Sequence, residues 1–226
     1  MGEGFDFIIE EKQDLVRAVR AFGIVPLFRN SIPGFSVEEH AAPQAWFSGE
    51  EGVWEWKGPV IRETGCAYGK FFENKAAFVS PELFPHLADF RRDGYDFDAR
   101  YEDGLASRAD LELFDLIDKT SPVLSRSLKA MGDYRKGGRK GFDTSMNRLQ
   151  KQCYVVISDF VYQHDRYGRP YGWGVAEYST PEKWMGEAFT QTVYAQTPEE
   201  SYRIVMEHLR RLLPETDEKS IRRFLK

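Results

Sequence analysis

Apolar residues recur at helical spacing near the start of the chain. Ile8, Leu15, Val16, Val19 and Phe22 form one stripe, and Gly23 stands where a left-handed residue closes a helix, so a helix is predicted over 8–22. Ser36-Val-Glu-Glu39 has the capping-box spacing, in which hydroxyl and carboxylate each satisfy a backbone N–H, and Pro43 opens or interrupts the next turn. The pattern over 53–64 is ambiguous, because Gly58-Pro59 interrupts it. Residues 66–79 read as a β-hairpin connected through Glu73-Asn74-Lys75, and Ser80-Pro81 starts a helix to about Arg92.

The second half has a definite order. Ser107 to Asp110 caps a helix burying Leu111, Leu113, Phe114, Leu116 and Ile117. Ser121-Pro122 starts another, with Val123, Leu124, Leu128 and Met131 inward and Gly132 at its end. A Gly-rich loop leads to a third helix, capped by Asp143, whose inward face is Phe142, Met146, Leu149 and Cys153. Alternation then replaces helical spacing. Residues 154–162 and 171–178 read as strands joined by a turn over 164–170, and further helices start at Thr180, Thr197 and Asp217.

The expected fold is mixed α/β and mostly helical. An N-terminal α+β half with its own hairpin covers 1–104, a helix-helix-helix-hairpin winged helix covers 105–180, and helices packing on it cover 181–226. The acidic stretch Tyr95–Gly104 is read as the linker at the first boundary, with a hard-cation site as the alternative for Asp96, Asp98, Glu102 and Asp103.

Charge sharpens this picture. The chain carries a net −5, yet between Pro122 and Gln152 eight basic residues meet only Asp133 and Asp143. A basic island in an acidic chain attracts polyanions through its local field; the plainer reading is a solvated loop between two helix faces. The third helix is the basic one. Thr144, Ser145, Asn147, Arg148 and Lys151 are expected outward, as residue types that meet base edges and phosphates. Arg139 and Lys140 precede that helix, and Arg166 and Arg169 stand at the hairpin tip. In a winged helix the third helix enters the major groove, so duplex DNA is the expected partner.

Other chemistry is less well supported. Two distant cysteines exclude a disulfide framework and a zinc finger, and four histidines show no metal spacing; no cofactor or metal is expected. No apolar run is long enough for a membrane span, and the acidic start argues against an export signal, so a reduced, cytoplasmic protein is expected. GGRKG at 137–141 lacks phosphate-loop spacing. Aromatics reach 15%, so Trp54, Trp56, Tyr68, Phe71 and Phe72 are either core or the lining of a base-stacking pocket.

Three segments carry a resemblance: FGIVPLFRNSIPGFSVEEH (22–40), WEWKGPVIRETGCAYGKFFENKAAFVS (54–80) and GRKGFDTSMNRLQKQCYVVISDF (138–160). With them the chain resembles the AlkZ/YcaQ-like winged-helix proteins, bacterial DNA-glycosylase relatives, in their short AlkZ-related form. The resemblance implies a link to removal of alkylated or cross-linked bases, which full enzymes perform with three tandem winged helices. It also implies a catalytic pair of polar residues flanking an apolar one. This chain offers Gln150-Lys151-Gln152, where the central residue is charged. On a helix the two glutamines point roughly 200° apart; on an extended segment they share a face. Three functions stay open: a DNA-binding glycosylase relative, a non-catalytic winged-helix scaffold or regulator, and a small-molecule enzyme or sensor built on the aromatic N-terminal half.

Overall fold

The computed structural model of the chain describes residue 5 and residues 7–46 and 51–226. The acidic start read above against an export signal lies outside them, apart from Phe5. In chain order the elements are α1 (Lys12–Phe22), β1 (Ile24–Pro26), α2 (Val37–His40), α3 (Pro43–Trp46), α4 (Val53–Thr64), β2 (Ala67–Phe72) and β3 (Lys75–Val79). Then come α5 (Phe84–Arg92), α6 (Phe97–Glu102), α7 (Arg108–Thr120), β4 (Val123–Leu124), α8 (Ser125–Met131) and α9 (Phe142–Lys151). The chain continues with β5 (Val156–His164), β6 (Pro170–Ser179), α10 (Pro181–Met185), α11 (Glu187–Thr190), α12 (Pro198–Leu212) and α13 (Glu218–Phe224).

One antiparallel sheet, in the order β1-β3-β2-β5-β6-β4, runs through both halves. It continues across the boundary expected near residue 104, joined there by the pair Tyr68↔Ile157. Helix α4 lies against β5, and Gly58 lets it come close. A Cβ on Gly58 would sit 2.6 Å from Asp159 Oδ1. Asp159 forms an ion pair with Arg62 one turn further along α4. The Gly58-Pro59 ambiguity thus resolves as a helix pressed onto a strand.

Three expectations are corrected. The acidic stretch 95–104 is not a linker: Asp96 caps α6, accepting from Ala99 N at 2.8 Å, and Phe97 is buried against Phe114 and Tyr154. Ser121-Pro122 opens a strand rather than a helix, because Val123 and Leu124 pair with Tyr178 and Glu177 on β6. That start displaces α8, and Met131 is exposed. The C-terminal helices, expected on the middle segment, pack on the N-terminal half. Phe224 stacks on Phe72 at 4.4 Å, Ser201 donates to the buried Asp89 at 2.6 Å, and His208 bonds to the Phe22 carbonyl at 2.7 Å. Of the two readings open for the aromatics, core holds for Trp56, Tyr68, Phe71 and Phe72, which the sheet and its helices bury. Trp54 is only partly covered, in a cluster with Phe28, Trp46 and the exposed Trp173.

Candidate nucleic-acid interface

Helix α9 is placed by its apolar face. Phe142, Met146 and Leu149 are buried, with Cys153 just beyond the helix end. Ser145 is buried too, correcting its outward assignment. It lies three residues after Phe142 and four before Leu149, which is the same face, and its small side chain fits there. Asp143 does not cap the helix; Gly141 holds that position, and Asp143 sits in the first turn, 3.7 Å from Lys129 Nζ.

The opposite face is polar. Thr144, Asn147, Arg148 and Lys151 line a groove of about 400 Å³, closed on its other side by Asn74. Asn74 was not singled out from the sequence. Glu73 and Asn74 have φ of 50° and 58°, the paired left-handed residues of a tight hairpin turn, and Asn tolerates that conformation. The sequence signalled the turn, but not that the sheet would bring its tip alongside α9.

Gln150 is committed to the scaffold. It is 1% exposed, its Oε1 accepts from Lys70 N at 3.1 Å, and its Nε2 donates to the Met146 carbonyl at 3.3 Å. Gly69 makes room for it: a Cβ there would meet Oε1 at 3.1 Å and the Phe71 ring at 2.9 Å. Gln152, half-buried, follows as the C-cap of α9. No hydrogen bond joins the two amides among the described residues.

Acids elsewhere match part of the basic island. Arg148 Nε lies 3.0 Å from Oδ2 of Asp110, which is 2% exposed and also forms the capping box of α7. Arg139 pairs with Glu112 at 2.6 Å. Hydrogen bonds from Arg108 and Arg139 hold the Glu112 carboxyl below the usual carboxylate range. Counting charge between 122 and 152 missed these partners, because α7 lies outside that window. Arg126, Arg135, Lys136, Lys140 and Lys151 have no ion pair among the described residues. At the β5–β6 tip Arg169 pairs with Asp165 at 2.9 Å, and Arg166 stacks 4.6 Å over the exposed Tyr167 ring.

Fold and site together define a mixed α/β protein that sets the polar face of one helix beside the tip of the β2–β3 hairpin. A family model described as AlkZ related matches residues 9–226, and the chain belongs to that family. No curated protein and no solved structure matches it. No helix among the described residues is long and apolar enough to cross a membrane.

Proposed function

We propose that the chain binds duplex DNA through a winged helix made of α7, β4, α8, α9, β5 and β6, as a relative of alkylation-repair glycosylases. The observation that carries this reading is α9: one face fills the core while the other offers hydroxyl, amide and two cations to an open groove. The pairing of β4 with the outer edge of β6 supports the winged-helix assignment. In this reading Arg148, Asn147 and Thr144 meet base edges. Lys140, Lys151 and Arg139 meet phosphates, and Arg166 and Arg169 at the wing tip meet the adjacent backbone.

Binding is better supported than catalysis. A glycosylase must orient a water or steady the developing sugar cation beside an extruded base. Gln150 would have to leave two hydrogen bonds and the core to do so, which favours a non-catalytic winged-helix protein as the second reading. The small-molecule reading loses its main support, since most of the N-terminal aromatics it needed are core.

The test is a gel shift on duplex DNA across a salt series. Affinity should fall steeply with salt, with a log–log slope of about −0.9 per neutralised phosphate, and Lys140→Glu with Lys151→Glu should abolish it. Absent or salt-insensitive binding would overturn the assignment. DNA bearing 7-methylguanine, scored for abasic sites, separates the readings. Release lost in both Gln150→Ala and Gln152→Ala, with binding kept, would restore the catalytic pair.

A further inference from the structure

A second cavity lies where α5, α12 and α13 meet. It holds about 530 Å³ and is lined by Phe90, Tyr202, Lys219, Arg222, Arg223 and Lys226. That volume falls within the roughly 300–1,000 Å³ of small-ligand sites. The Phe90 and Tyr202 rings stand 4.8 Å apart and are tilted by 48°, both half-buried. Arg222 is engaged by Glu218 at 2.8 Å. Lys219, Arg223 and Lys226 are exposed and have no ion pair among the described residues. Across the same two rings lies a smaller cavity of about 220 Å³, where Asp93 and Glu199 supply acceptors. Aromatic faces with cations on one side and carboxylates on the other match the parts of a nucleotide: a flat base, a phosphate, and sugar hydroxyls or base amino groups.

One side chain connects this cavity to the α9 groove. Arg91 Nη1 donates to the Lys151 carbonyl at 3.4 Å and to the Lys226 carbonyl at 3.3 Å. Lys151 lines the groove and Lys226 lines the cavity, so the two sites are neighbours on one cationic track. Resting on the DNA-binding reading, we infer that this cavity takes an unpaired nucleotide extending from a duplex held in the α9 groove. Its base stacks on Phe90 and Tyr202, and its phosphate meets Lys226 and Arg223. Stacking suits such a task because every base has a π-face, so no particular sequence is required.

The experiment compares a blunt duplex with the same duplex bearing three unpaired nucleotides at either end polarity, one of them 2-aminopurine. The extended duplex should bind about tenfold more tightly, as expected for one stacked base. The 2-aminopurine fluorescence should be quenched. Tyr202→Ala and Arg223→Glu, whose fold is checked by circular dichroism, should each erase that preference and leave blunt-duplex affinity unchanged. Equal affinity for both duplexes in the parent protein overturns the inference, as does a preference that survives both variants. If the blunt duplex is not bound at all, the groove reading fails. A free single strand carrying 2-aminopurine then tests the cavity alone: quenching that is lost in Tyr202→Ala supports the cavity as a nucleotide site, and no quenching overturns it.

Discussion

Lys57 shows how much one side chain can reveal about its surroundings. Its Nζ lies 4.8 Å from the Trp54 ring centroid and 4.3 Å from that of Phe160, between α4 and β5. Burial pushes its amine down from 10.5 to about 8, and Glu55 pulls it part of the way back. Between those two values the unfolded chain holds more protons than the folded one, so this group adds stability as pH rises from about 8 towards 10.5. Cys66 and Cys153 oppose it. Burial raises both thiols to about 12, so they stay protonated in the fold after the unfolded chain has begun to lose those protons. That opposing effect is common to the parent and to Lys57→Met. The expected result is that the parent gains stability relative to Lys57→Met across pH 8–10, read from urea midpoints. A constant difference would show that the amine keeps its ordinary affinity for protons.

The elements separate what the sequence made legible from what it did not. Helical spacing located α9 and its apolar face, because one buried face leaves a periodic mark, and a run rich in Val, Ile and aromatic residues located β5. Ser145 escaped this reading: a small polar residue at an inward position looks the same as one at an outward position until packing is seen. Strand β4 escaped because two residues carry no period, and its identity depends on a partner more than fifty residues away. The acids that match Arg139 and Arg148 escaped because charge was counted along the chain, whereas α7 meets α9 in space. The same geometry divides the basic residues of α9. Arg148→Ala strips the buried Asp110 of its cation and should cost roughly 1–3 kcal/mol as well as weakening DNA binding. Lys151→Ala should weaken binding with stability changed by no more than about 0.5 kcal/mol. Denaturation and gel shifts on both variants check this. Equal stability loss in the two would mean that the Arg148–Asp110 pair contributes nothing to the fold.

Across the whole molecule, the expected division at residue 104 meets structure that spans it. Arg92, on α5, is 2% exposed. It donates to Glu182 at 2.7 Å, to the Tyr194 hydroxyl at 3.0 Å and to the Cys153 carbonyl at 2.8 Å, and its guanidinium lies 4.6 Å over the Tyr154 ring. One cation thus binds the N-terminal half to the segment after α9 and to the chain beyond β6. Arg92→Met should cost about 3 kcal/mol, the low end for breaking a buried pair because Glu182 can turn to solvent; chemical denaturation measures it. A loss under about 1 kcal/mol would show that the two halves hold together without it.

The pairing of β2 with β5 has a practical consequence for anyone who wishes to study residues 105–180 by themselves. Cutting out residues 105–180 would remove Tyr68 from beside Ile157 and bare the edge of β5, where Val156 and Ile157 are apolar. An uncovered apolar strand edge recruits other strands, so the excised piece would self-associate into aggregates. A solubilising charge placed at that edge, or the retained 66–79 hairpin as a cover, would be needed before the fragment could be handled as a monomer.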